Sequence, residues 1–145
     1  MIELKHVSFA YQGQEHDGLH DINLTIADGE CVLFCGRSGC GKTTITRLVN
    51  GLIPAFTPGC RLEGRVEVDG LDPRATPMYE LARKVGSVFQ NPKSQFFNLD
   101  TDSELAFGLE SLGLPTPVIR RRVAEMASFF GIESWFHRDV AELSG

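Results

Sequence analysis

From Ile2 the chain alternates apolar and polar positions through "IELKHVSF" (2–9), the period of a strand with one buried face. "HDINLTI" at 20–26 alternates in the same way and is the expected partner of that strand. The polar stretch "AYQGQEHDGL" between them carries two glycines and reads as a loop. "ADGE" at 27–30 is a turn signal. "CVLFC" at 31–35 is apolar throughout, the pattern of a strand buried on both faces of a parallel sheet. Residues 42–52 take a helical period, which the prolines and glycine of "PAFTPG" break. "EGRVEVDG" at 63–70 predicts another strand ending in a turn, and "VGSVF" at 85–89 a second buried strand. Three further helices are predicted. One starts at Thr76–Pro77 and runs to about Lys84, with proline at its first position. Another opens on a capping box of Thr101 with Glu104, ahead of "LAFGLESLG". The last opens at Thr116–Pro117 and places Val118, Ile119, Val123, Met126, Ala127 and Phe130 at helical spacing. The class is α/β, β-rich in front and helical behind.

Composition narrows the function classes. A chain of 145 residues, 42% hydrophobic and 23% charged, has the balance of a globular domain. Its net charge of −5 gives no electrostatic footprint for nucleic acid, so no nucleic-acid partner is expected. "CVLFC" is the longest apolar run and is far too short to cross a bilayer, and the N-terminus is not a signal peptide. A cytoplasmic setting follows. Cys31 and Cys35 share one predicted strand, ~13 Å apart, beyond the ~7 Å limit for a disulfide. Both are expected to be small buried hydrophobes. His16 and His20 precede a strand rather than sharing a helix face, so they are not read as a metal pair.

The chemistry concentrates in "GRSGCGKT" at 36–43, which matches G-x-x-x-x-G-K-[ST], follows an apolar strand and opens a helix. Gly36, Gly39 and Gly41 let the backbone turn tightly and approach an anion without a Cβ clash. The amides of Gly36, Arg37, Ser38, Gly39, Cys40, Gly41, Lys42, Thr43 and Thr44 are the candidate cradle for phosphate oxygens, helped by the helix dipole. Lys42 supplies a full charge for the β- and γ-phosphates, and Thr43 a hydroxyl for Mg²⁺. The rival reading, a glycine-rich turn with no ligand, has to explain eight matching positions in the right context. Cys40 is either a thiol switch or a position where only the amide matters. The second is preferred, because amide donation does not depend on the side chain.

The surroundings of the loop choose among phosphate-loop proteins. Tyr11 closes the first predicted strand, 25 residues ahead of Gly36; Gln90 closes the second buried strand in "VFQNPKSQFF"; "ELSG" stands at 142–145. That order resembles the nucleotide-binding domain of ATP-binding-cassette (ABC) transporters: an aromatic platform, a phosphate loop, a glutamine loop, and an L-S-G-G-Q signature represented by Leu143, Ser144 and Gly145. "FQNPKSQFF" followed by "DSELAFGLE" is similar to the energy-coupling-factor, or cobalt-type, importer ATPases. The resemblance implies a P-loop NTPase fold with an N-terminal antiparallel β-subdomain, a partial parallel core sheet and a helical subdomain. Its parts would be a β-rich part at 1–35 and 60–70, the loop and helix at 36–52, the glutamine-loop strand and loop at 85–97, the helical subdomain at 98–143, and the start of the signature at 143–145.

It also implies roles. ATP and Mg²⁺ would be the cofactors, with Lys42 and Gln90 catalytic and Thr43 and Gln90 on the metal. Tyr11 would stack on adenine, a contact worth about 1–3 kcal/mol by analogy with base stacking; the alternative is an aromatic capping the β-subdomain core. Gln90 is otherwise a strand-terminal polar residue. Ser144 and Gly145 would contact the γ-phosphate held by a second ABC ATPase subunit, or a fused second cassette, in a head-to-tail dimer. Of Phe96 and Phe97 one would point outward, to dock a transmembrane transporter subunit or to pack in the helical subdomain. Arg120, Arg121 and Arg122 read as a solvated face, and Phe129, Phe130, Trp135 and Phe136 as subdomain core.

The acidic pair that ends an apolar strand in this family, and the histidine switch beyond it, are absent from the sequence. The expectation is therefore an N-terminal piece of a longer protein, with "CVLFC" and "VGSVF" flanking an empty slot and the piece itself inactive. In full it would be a peripheral ATPase on the cytoplasmic face of the membrane, powering uptake of a small solute such as a vitamin or metal ion. The rivals are another P-loop NTPase such as a nucleotide kinase, and a regulatory ABC ATPase not dedicated to transport.

Overall fold

A computed structural model of the chain describes residues 1–13 and 18–143, with the side chain of Pro92 set aside. His16, Ser144 and Gly145, singled out in the sequence, lie outside the described residues. The chain forms two compact units, Met1–Ser87 and Val88–Gly145.

The first unit is built on a three-stranded antiparallel sheet in the order β2 (Gly18–Ile26), β1 (Ile2–Ala10), β3 (Arg61–Val68). Strict alternation along β1 would put His6 and Ser8 on the same face as Leu4. Instead the register shifts on both sides of β1 between Leu4 and Ser8, and His6 takes a left-handed φ of 48°. The bulge changes parity, so Val7 and Phe9 rejoin Leu4 on the buried face. Opposite it, Gly64 has φ 81°, and a Cβ there would sit 2.2 Å from the His6 carbonyl oxygen; only glycine fits. The His6 amide donates to Asn23 Oδ1 at 2.9 Å, which gives the displaced backbone a partner.

Helix α1 (Lys42–Val49) covers this face through Leu48, 1% exposed. Leu4, Val7, Phe9, Leu19, Leu48, Ile53 and Val66 form one buried cluster. Two short helical pieces follow, α2 (Leu52–Ala55) and α3 (Met78–Leu81), the latter shorter than the predicted run to Lys84.

The two predicted buried strands are not strands here. Residues 31–35 and 85–89 have no ladder partner among the described residues, and Leu33 is 83% and Val88 88% exposed. Cys31 and Cys35 are exposed rather than buried. The physical reason is that an all-apolar strand is buried only between neighbours, and neither segment has one. The sheet seen is the antiparallel one; the parallel core sheet is not formed by these segments.

The second unit pairs α4 (Thr101–Ser111) with α5 (Thr116–Phe130). The cap of α4 is Asp100, whose carboxylate accepts from the Ser103 amide at 2.8 Å, so Thr101 is the first helical residue and not the cap. Glu104 does not close a capping box on the Asp100 amide; it reaches past the cap to the amides of Phe97 and Asn98 at 3.0 and 2.9 Å. On α5, Ile119 and Ala127 are buried. Phe129, Phe130 and Trp135, expected in the core, are 81%, 63% and 41% exposed; Phe129 and Phe130, in the last turn of α5, pack edge-to-face on each other. Arg120, Arg121 and Arg122 are exposed.

Candidate functional site

The loop at 36–41 leads into α1 through three glycines with positive φ: Gly36 at 152°, Gly39 at 82° and Gly41 at 92°. Two of them are closely packed as well. A Cβ on Gly36 would meet Cys40 Sγ at 2.7 Å, and one on Gly41 would meet Leu19 Cδ2 at 2.5 Å. The second contact ties the loop to the sheet, because Leu19 belongs to β2 and to the buried cluster. Gly39 faces open space, so its requirement is conformational alone.

Lys42 curls back over the loop that precedes it. Its ammonium donates to the carbonyl oxygens of Gly36 at 2.9 Å and Arg37 at 2.7 Å, with Cys40 Sγ at 3.6 Å. The charge is thus held at the mouth of the loop by backbone groups, as a donor that can be re-aimed from a carbonyl to an anion. The helix ladder of α1 begins with Ile45 N to Gly41 O at 3.0 Å, so the amides of Lys42, Thr43 and Thr44 precede its first bond. Those amides, the ammonium and the exposed Thr43 side chain converge at one helix N-terminus. A triphosphate with its divalent cation matches this donor set: amides and ammonium for the anion, a hydroxyl for the cation. Arg37, Ser38 and Cys40 are exposed around the loop, and the Cys40 amide donates to the Arg37 carbonyl at 3.3 Å.

Tyr11 follows β1 directly, half-buried, its ring edge-to-face on Phe9 with centroids 4.6 Å apart. That contact is the core-capping arrangement, and the ring is packed against the cluster that also supports α1. Gln90 lies in the second unit, exposed, at the head of the loop that runs to Phe97. This loop is braced at both ends: Gln95 Oε1 accepts from the Phe89 amide at 3.2 Å, and Glu104 holds its far end. Phe97 is 76% exposed and stacks on Phe107, while Phe96 is 37% exposed. The structure therefore gathers residues 36–44 into one site and places Gln90 in the other unit.

Sequence reading missed Leu19 as the support of Gly41, and Glu104 and Asp100 as the braces of the second unit. Asp100 was within reach, since aspartate before a helical run with serine three positions on is an N-cap signal. Leu19 was not, because nothing local links a strand residue to a glycine 22 positions later.

A family model described as ABC transporter matches residues 19–145. Over all 145 residues the chain is 47% identical to a Treponema denticola protein provisionally named an ABC transporter ATP-binding protein, and it spans 29% of that protein. It is 40% identical to a cobalt import ATP-binding protein of Syntrophus aciditrophicus, covering all of this chain and 50% of that one. The cbiO1 protein of Clostridium perfringens, part of the ABC transporter complex cbiONQ, superposes with a TM-score of 0.82 at 28% identity, over 99% of this chain and 55% of that one. The chain thus spans between about a quarter and a half of the length of the curated relatives it matches. None of the described helices is long and apolar enough to cross a membrane.

Proposed function

The chain belongs to the ABC transporter family, and from that premise we propose that it is the nucleotide-gripping part of an importer ATPase of the energy-coupling-factor type. The observation that carries the reading is the loop at 36–44, where a lysine, a helix N-terminus and a threonine hydroxyl meet. Support for the subfamily comes from relatives named for cobalt import and for an energy-coupling factor transporter.

In this proposal the polyphosphate draws the Lys42 ammonium away from the Gly36 and Arg37 carbonyls, and the amides of the loop and first turn of α1 take the remaining oxygens. Thr43 would hold Mg²⁺ by its hydroxyl, and the ion would supply charge neutralisation on the phosphates. Gln90 would offer its side-chain amide to the metal and to water, and Ser144 and Gly145 would serve the nucleotide of a second ATPase subunit or cassette. Tyr11 lies against adenine with its exposed side while its ring stays packed on Phe9. The whole protein hydrolyses ATP at the cytoplasmic face of the membrane and drives a transmembrane partner that takes up a small solute such as a vitamin or metal ion.

Mg²⁺ dependence tests this reading in the complete protein. Thr43→Ala should remove most of the gain in ATP affinity that Mg²⁺ confers and leave metal-free binding within about twofold, since it deletes only the hydroxyl. An unchanged response to Mg²⁺ would contradict the role given to Thr43.

A further inference from the structure

Thr101 is the only polar side chain buried among the described residues, and its partners lie 34 and more positions away. Its hydroxyl donates to the Trp135 carbonyl at 2.5 Å, and its amide donates to the Arg138 carbonyl at 3.0 Å. These two bonds clamp both ends of the turn at 135–138, itself closed by Arg138 N to Trp135 O at 3.1 Å. Asp102 takes the middle of the same turn. One carboxylate oxygen accepts from the His137 amide at 2.8 Å, and the other lies 3.0 Å from His137 Nδ1. His137 has a φ of 61°, a left-handed conformation that a non-glycine residue holds only where its surroundings fix it.

The clamp continues toward the C-terminus. Val140, 7% exposed, donates its amide to the Leu99 carbonyl at 2.9 Å, and Asp100 pairs with Asp139 as an antiparallel bridge. Asp139 then accepts from the Ala141 amide at 2.8 Å, which caps the 3-10 turn Val140–Glu142 that leads into Leu143. On the other side of the same helical turn, Glu104 holds the amides of Phe97 and Asn98. One turn of α4 therefore carries both the end of the Gln90 loop and the approach to Leu143.

We infer that Thr101 and Asp102 are positioning residues for hydrolysis, fixing the approach to Leu143 relative to the Gln90 loop. The inference rests on the proposed roles of Gln90 and of the signature. It assigns to Asp102 the task of holding the His137 amide, a neutral donor that an uncharged acceptor can also hold.

The test uses the complete protein, with turnover expressed per nucleotide-binding site counted by ATP titration. Asp102→Ala should lower kcat about tenfold and leave the KM for ATP within about twofold, because the approach is misplaced while the grip of residues 36–44 is intact. Asp102→Asn keeps an acceptor for the His137 amide and should retain at least about half of the turnover. His137→Gly relieves the left-handed backbone, preserves the amide donor and should behave like Asp102→Asn. Equal loss in Asp102→Asn and Asp102→Ala, unchanged turnover in Asp102→Ala, or a matching rise in KM would each overturn the inference. Failure of the underlying reading looks different: Gln90→Ala and Ser144→Ala would then leave turnover unchanged.

Discussion

Gly41 and Gly39 separate two reasons for glycine within one loop. Both have left-handed φ, which costs a non-glycine residue about 1–2 kcal/mol, but only Gly41 would also drive a Cβ to 2.5 Å from Leu19. Gly41→Ala should therefore weaken ATP binding and lower the melting temperature more than Gly39→Ala, measured by titration and thermal unfolding. Equal effects would mean that the contact with Leu19 is inconsequential. Tyr11 invites a similar separation. Tyr11→Phe preserves the ring on Phe9 and should keep both stability and nucleotide affinity, whereas Tyr11→Ala loses both, with about 1–3 kcal/mol of binding at stake if the ring stacks on adenine. The glycines and Lys42 were legible because the motif specifies residue type at fixed spacing. The carbonyl partners of Lys42 were not, because side-chain direction in a loop is set by backbone angles that the pattern leaves open.

Among the elements, β1, β2 and β3 follow from alternation and from turn residues, α4 from a helix-start pattern and α5 from helical spacing. What alternation could not give is the bulge at His6, because a parity change is visible only once Val7 and Phe9 are both seen inside. The buried strands at 31–35 and 85–89 show the converse limit: an apolar run states what a segment needs, not whether a neighbour supplies it. Leu48 joins α1 to the sheet at 1% exposure, so Leu48→Ala should cost about 2–5 kcal/mol in the unfolding of the first unit and loosen the loop that α1 anchors. In the second unit, the Ser103 amide donating to Asp100 holds that carboxyl below its ordinary value, with the Ser103 side chain adding to the effect. A lowered value means that the cap contributes its stability above the ordinary carboxylate range and loses it as pH falls through that range and the folded value beneath it. Acid titration followed by helix circular dichroism should show a transition there that Asp100→Asn removes, since the amide caps without titrating. A transition unchanged by Asp100→Asn would assign it to another group.

For the molecule as a whole, family and fold were legible, because Tyr11, the loop at 36–43, Gln90 and "ELSG" stand in an order that resembles an ABC nucleotide-binding domain. The aromatic placements were less so: Phe129, Phe130 and Trp135 look like core by composition, yet a large apolar side chain is buried only if something packs against it. Together with Leu33, Val88, Phe97 and Leu99 they leave wide apolar exposure. The 145-residue chain on its own should accordingly bind a hydrophobic dye strongly and unfold with low cooperativity. A sharp transition with no dye binding would contradict that. The proposed grip on nucleotide depends on the ammonium held over the loop by the Gly36 and Arg37 carbonyls. Equilibrium ATP binding to the complete protein, wild type against Lys42→Ala, reads that claim most directly. Loss of a charge-assisted bond worth about 1.5–3 kcal/mol predicts an affinity about ten- to a hundredfold weaker, whereas wild-type affinity in the variant would contradict the account.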